Sequence, residues 1–460
     1  MQDSRKSRVR VCRTGPGPMW RRDNRGVTPG SSSSTALSAN ATGAHVAASA
    51  YNARWVGWLS LGQLISWGSI YYLFALIMLP IEQEMGLTRA QSSLAFSLAL
   101  LVEGLLAYPV GRWLDRGHER LVMTAGSIVL GLCLLAHSFV TTKTGFYLVW
   151  CCIGLGMAAT LYNPAFAVVT RRFPADFRRA IITLTFLGGL ASTIFLPTTA
   201  WLISAGGWRQ ALLVLAALHL LVCAPLHFWL LKDAPAGHAP RHAEVDSNLA
   251  DANSIHKPKL AQHLASAPFL LLGLFVILTM TVTAALPTHI VSLLRELGLT
   301  ETWAIVIPAS IGLVQVLGRL LMYFFEHRFD IHTSNRLIPW LLPLGLLALL
   351  VVPMLGSWAS RLALPLLFVF VLLWGMGVGM LTIVKGTAMA QYVSREHVAS
   401  LNGALGVPLA LARASAPLGL GVLWSAQAGY SVGLWVLLAL GVAGALMLHW
   451  AQRLALKPAR

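Results

Sequence analysis

Acidic residues are scarce in this chain: 17 aspartates and glutamates stand among 460 residues, against 34 lysines and arginines. Charged residues of both signs make up only 11% of the sequence while 56% is hydrophobic, a balance that excludes an ordinary soluble domain of this length. Cysteine is also rare. Cys12 lies alone near the start, and Cys133, Cys151, Cys152 and Cys223 lie in or at the edge of apolar runs, so no disulfide framework is offered. There is no glycine-rich phosphate loop with its lysine, no group of metal ligands at working spacing and no nucleophile triad. Enzyme chemistry therefore has no residues to carry it, and no cofactor is expected. Without a nucleotide site, any work this chain does has to be driven by an ion or solute gradient.

What the sequence has instead is apolar length. A helix needs about 20 residues to cross a hydrocarbon core of roughly 30 Å. Runs of that size recur at 55–81, 91–113, 121–141, 146–170, 180–205 and 209–231, and again at 268–294, 302–325, 337–356, 362–391, 399–425 and 430–452. None shows the alternating pattern of a barrel strand, so helices must satisfy the backbone in lipid. The expected fold is an all-α membrane protein with about twelve transmembrane helices in two pseudo-symmetric six-helix bundles. Residues 1–53, rich in arginine and then in serine, read as a disordered basic cytoplasmic tail, although a transit peptide or an overextended start accounts for that composition equally well. No cleavable signal peptide is visible. The first bundle occupies 54–231, a polar cytoplasmic linker 232–267, and the second bundle with a short cytoplasmic tail 268–460.

The net charge of +17 is not a nucleic-acid signature, because the basic residues sit in short loops and at the termini. Arg112, Arg116, Arg120, Arg171, Arg172, Arg178, Arg179, Arg328, Arg336, Arg395, Arg453, Lys457 and Arg460 fall on one side of the predicted membrane. Only Arg89, Lys143, Arg209, Arg295 and Arg361 fall on the other. The positive-inside bias then places both termini and the linker in the cytoplasm of a cell inner (plasma) membrane.

After the second span the chain reads Gly111-Arg-Trp-Leu-Asp115-Arg116-Gly-His118-Glu-Arg120, which resembles the signature loop of the major facilitator superfamily. Gly111-Arg112-Trp-Leu114 has an echo in the second half, Gly318-Arg319-Leu-Leu321, as internal repeats would have. Tyr162-Asn-Pro164, Arg171-Arg172-Phe-Pro and Gly207-Trp208-Arg209 look like the monocarboxylate and oxalate/formate branch of that superfamily. The antiporter branch usually has an arginine in helix 4, but Trp150 stands before Gly154-Leu-Gly156 here. The resemblance implies that Gly111, Asp115, Arg116 and Arg120 form a conformational gate holding the outward-open state closed on the inside. His118 departs from the usual glycine.

A charge within a span costs at least about 2.5–3.5 kcal/mol, so each one is a functional candidate. Glu103 is the acidic residue nearest the middle of a span, and it suits reversible proton binding unless it serves a structural ion pair. Arg413 lies halfway along the eleventh span, where it needs a partner. Because the family's helices 2 and 11 face each other, the resemblance allows a Glu103–Arg413 contact. The branch's eighth helix carries an aspartate and, four residues on, an arginine; here those positions hold Gln315 and Arg319, so the aspartate is missing. Arg319 is either a binding cation or an end anchor, and Lys385 reads as an anchor near the cytoplasmic side. Tyr72 and Asn163 lead the polar candidates for solute contact. Gln63, Tyr71 and His289 follow, with helix packing the commoner role for all five, and His219 and His227 read as structural.

The function expected is secondary active transport by alternating access. The solute expected is a small organic anion such as a monocarboxylate, moved by proton symport or exchange by a chain acting as a monomer in the lipid bilayer. An efflux carrier for a toxic or amphipathic compound is the alternative within transport, and a non-transporting sensor or scaffold is the alternative outside it.

Overall fold

The computed structural model describes residues 51–232, 260–325, 330–394 and 397–456. Nearly all of the expected tail and linker, and with them Cys12, Arg328, Arg395, Lys457 and Arg460, lie outside the described residues. The described chain is a series of long apolar helices. We number these α1 Ala53–Met85, α2 Arg89–Asp115, α3 Glu119–His137 and α4 Lys143–Arg172. The next run, Phe177–Leu230, is 54 residues long, nearly twice what a crossing needs. It breaks at Gly207, whose φ of +80° and ψ of 167° favour glycine and reverse the chain into α5 (177–206) and α6 (208–230). The second half comprises α7 Ala267–Glu296, α8 Glu301–Phe325, α9 Ile331–Leu355, α10 Arg361–Tyr392 and α12 Ser431–Ala455. Between the last two, α11 is built from Val398–Ala404 and Gly406–Val422. The described residues therefore hold twelve crossings, six in each half.

Local sequence fixes the turns. Gly86, at φ +59°, closes α1, and Thr88 opens α2 with a capping box in which Gln91 answers its backbone N–H. Inside α4, Pro164 lacks the N–H that would bond the Thr160 carbonyl one turn back, and the helix breaks at Leu161. Gln63 Nε2 of α1 donates to that freed carbonyl at 2.6 Å, so its amide nitrogen is engaged by the backbone. Trp150 is fully buried among Phe74, Phe96 and Phe146, a packing role that accounts for an aromatic ring at this position.

The halves meet along two seams. In one, α2 lies against α11; in the other, α5 lies against α8. Small residues allow the backbones to approach: a Cβ at Gly104 would stand 2.7 Å from Ala410 Cβ, and one at Gly312 would meet Thr193 Oγ1 at 2.7 Å. Thr193 Oγ1 also donates to the Ala309 carbonyl at 2.7 Å. Large apolar side chains such as Leu221 and Trp229 are exposed on the outer surface, where lipid is the fitting solvent.

Candidate functional site

Three features sit on the line between the halves: a mid-depth ion pair, a small cavity beside it, and a cluster that closes one end. The end carrying the α2–α3 and α4–α5 loops is rich in arginine and is called the basic end below. The opposite end, with the α1–α2, α7–α8 and α11–α12 loops, is the far end.

At mid-depth, Arg413 Nη2 lies 3.2 Å from Glu103 Oε2, joining α11 to α2. Glu103 is buried and Arg413 largely so. The contact allowed by the facing of helices 2 and 11 is thus present, and it gives both intramembrane charges a partner. On the other side of the seam, Tyr72, Ser192, Gln315 and Trp374 line a cavity with Pro287 and Pro308. Two sequence candidates, Tyr72 and Gln315, therefore face one space from α1 and α8. Tyr72 lies at the end of a π-helical stretch, Trp67–Tyr72, a distortion that recurs at functional positions. Arg319, one turn beyond Gln315, donates through Nη1 to the Thr185 carbonyl at 2.6 Å and makes no ion pair among the described residues. Asn163 is exposed and is not part of this cavity's lining. Its neighbour Tyr162, not singled out from sequence, places its hydroxyl against Gly188 while Arg319 Nη1 lies against Gly189. The adjacent glycines were the available signal.

The far end is held by Arg89. Its Nε lies 3.3 Å from Glu82 of α1, Nη2 lies 3.5 Å from Glu296 of α7, and Nη1 donates to Tyr430 Oη at 2.9 Å. The guanidinium also stands over the rings of Trp424 and Tyr430, at 5.1 and 5.7 Å. Glu82 accepts a hydrogen bond from Ser92, and Glu296 accepts one from Trp424 Nε1. Below this lies His289, fully buried, with Nε2 3.0 Å from the Pro417 carbonyl and Nδ1 3.0 Å from Tyr430 Oη. A carbonyl only accepts, so Nε2 carries the hydrogen, and Tyr430 donates to Nδ1 while accepting from Arg89. Sequence reasoning counted Arg89 only as a loop charge and placed His289 among the secondary candidates for solute contact. The structure ties both into a latch that spans α1, α2, α7, α11 and the α11–α12 loop.

Among the described residues, no such latch joins α2 to α11 at the basic end. A Cβ at Gly111, Gly403 or Gly406 would have nothing within 4 Å, and Tyr108 and Val407 are 74% and 70% exposed. Asp115 and Arg116 are exposed and have no ion pair among the described residues, and Arg120 donates to the Phe228 carbonyl at 2.8 Å. The charge pairing nearby belongs to Glu119, which is fully buried: Arg172 Nη2 lies 2.6 Å away and Arg171 Nη1 3.6 Å away. The far end is closed and the α2–α11 seam opens toward the basic end.

Comparison with known proteins fits this geometry. The sequence profile of the Major Facilitator Superfamily matches residues 59–363. The chain belongs to that superfamily. Among curated relatives, monocarboxylate transporter 13 of Rattus norvegicus is 36% identical over 124 residues, and that of Bos taurus is 38% identical over the same length. Each match covers 26% of this chain and 28% of the relative, so the chain spans just over a quarter of the length of these curated relatives. Among solved structures, a bacterial homologue of the human lysosomal transporter Spinster, crystallised inward-facing and occupied, superposes with a TM-score of 0.63 at 17% identity. The superposition covers 86% of this chain and 96% of that one. The nucleoside transporter NupG, crystallised as a point mutant, gives 0.61 at 14% identity, over 88% and 99%. At these identities the superpositions show the superfamily fold alone.

Proposed function

We propose that this superfamily member is a secondary active transporter of a small organic anion, monocarboxylate-like, working by alternating access. The single observation carrying this reading is the Glu103–Arg413 pair at mid-depth between the halves, which a solute carboxylate can replace on the guanidinium. Two further points support it: Arg319 has no acidic partner among the described residues, and the partial relatives are named as monocarboxylate transporters. On this reading an anion engages Arg413 and releases Glu103, which takes a proton, and the loaded halves then rock. Symport with a proton follows if Glu103 carries that proton across; exchange follows if it does not.

The organisation belongs to the same proposal. Residues 54–231 and 268–460 are the moving halves, 232–267 links them, and 1–53 is a tail, with both termini on the cytoplasmic side of the inner membrane. The basic end then faces the cytoplasm, the open α2–α11 seam is the inward-facing form, and Gly111, Asp115, Arg116 and Arg120 await closure there. The chain acts as a monomer.

Uptake of labelled small carboxylates into proteoliposomes, with and without an inward proton gradient, tests this. Accumulation of one acid that Arg413→Ala abolishes supports the anion reading, and loss of gradient dependence in Glu103→Gln supports proton coupling. If no carboxylate moves under any gradient the reading fails, and export of unrelated toxic compounds takes its place.

A further inference from the structure

Among the described residues, Lys385 and Arg319 are the basic residues of the central region that neither the ion pair nor the latch uses. Lys385 Nζ lies 2.8 Å from Met280 Sδ, a weak acceptor that cannot balance an ammonium charge, and no carboxylate pairs with it among the described residues. Its position on α10 gives it a direction. Trp374 lines the central cavity, and Lys385 follows it by eleven residues, about three turns, so the two share one face of the helix. The same register holds on the neighbouring helices. Pro287 of α7 lines the cavity, and Met280, seven residues earlier, is on the same face about two turns nearer the basic end. Gln315 of α8 lines it, and Arg319 is one turn further toward that end. Lys385 also lies within electrostatic reach of both Arg319 and Arg413.

The faces of α7, α8 and α10 thus continue the cavity toward the open end and bring Arg319 and Lys385 along it; with Arg413 of α11 they make three cations in the central region against a single described acid, Glu103. Every other acidic residue described in a span lies near a span end. Two positive charges are left without a counter-charge among the described residues, so the site attracts anions. A monocarboxylate on Arg413 leaves one of them bare.

We infer that Lys385 is a specificity residue of the transport site, and that with Arg319 and Arg413 it selects a substrate with two anionic groups, a dicarboxylate, over a monocarboxylate. The inference rests on the organic-anion reading above and puts a dicarboxylate in place of its monocarboxylate. One carboxylate engages Arg413 as Glu103 leaves, and the second is held by Lys385 and Arg319 nearer the basic end.

The experiment measures concentration dependence of uptake of labelled succinate, malonate and lactate into proteoliposomes holding the full chain, at a pH where all carboxyls are ionised. The proteins compared are wild type, Lys385→Gln and Lys385→Arg, each checked for a monodisperse profile in detergent. In wild type, one or both dicarboxylates should bind at least tenfold more tightly than lactate. Lys385→Gln should weaken the dicarboxylate at least tenfold while moving lactate less than twofold, and Lys385→Arg should restore most of the difference. Wild-type uptake of lactate with no dicarboxylate preference, or equal weakening of all acids by Lys385→Gln, overturns the inference while the anion reading stands. Failure of wild type to move any of the three overturns both. Should Lys385→Gln fail to fold, Lys385→Arg and the wild-type preference still decide, because a bulkier cation at this position should shift the succinate-to-malonate ratio severalfold.

Discussion

Replacing Arg89 should shift the protein away from the form described here, and the size of the shift can be worked from its contacts. Arg89 and Glu82 belong to the same half, so their pairing survives when the halves separate and cancels from the balance. The bond to Tyr430, the stretched pair with Glu296 and the two ring faces all cross between halves. A hydrogen bond from a charged donor contributes about 1.5–3 kcal/mol, a pair with a partly exposed carboxylate about 0.5 kcal/mol, and the cation–ring contacts about 0.5–1 kcal/mol. The total is about 3 kcal/mol, on the order of a hundredfold in the ratio of closed to open far ends. The assay places a cysteine at Leu286, buried in the cavity lining, in a chain without its native cysteines, and applies a membrane-impermeant maleimide from the far side. Arg89→Met should raise the labelling rate by up to that factor, and Tyr430→Phe, which keeps the ring, by about tenfold. Labelling unchanged within about twofold in Arg89→Met would refute the latch.

Further expectations concern other contacts. Gly421→Val should favour an open far end, because a Cβ at Gly421 would stand 2.6 Å from Ser93 Oγ and 2.9 Å from the Arg89 carbonyl, and the same maleimide assay reads it. Glu119→Ala leaves Arg171 and Arg172 without their shared buried carboxylate and should destabilise the first half by about 3–5 kcal/mol, seen as a lower thermal midpoint in detergent. Gln63→Leu strands the Thr160 carbonyl and should cost about 1–3 kcal/mol by the same measure, with substrate affinity unchanged.

The fold was legible because each crossing needs an apolar run, and a run of twenty residues has no other reading. The break at Gly207 was legible too: the separate runs 180–205 and 209–231 set it there, and its backbone angles divide the 54-residue helix. The mid-depth pair was legible for a related reason: a charge far from either surface demands a partner, and Glu103 and Arg413 had few to choose from. The latch was hidden. Glu82, Arg89 and Glu296 lie at span ends, where a charge is ordinary, and only the packing of five segments buries Arg89 and draws the acids around it. The partner of Gln63 was hidden because it is created by a proline in another helix, a relation no single span displays.

The α5–α8 seam has a mechanical meaning. With Gly312 against Thr193 and the Thr193 hydroxyl bonded to the Ala309 carbonyl, the two helices touch almost backbone to backbone, without a cushion of long side chains to compress. Such a contact behaves as a fulcrum. The start of α5 at Phe177 lies sixteen residues away, about 24 Å of helix, so a tilt of roughly ten degrees carries that end through about 4 Å. A modest roll at the seam is thereby geared into a displacement wide enough to admit a small solute, and thickening the fulcrum by one methyl group should jam the lever without touching the solute.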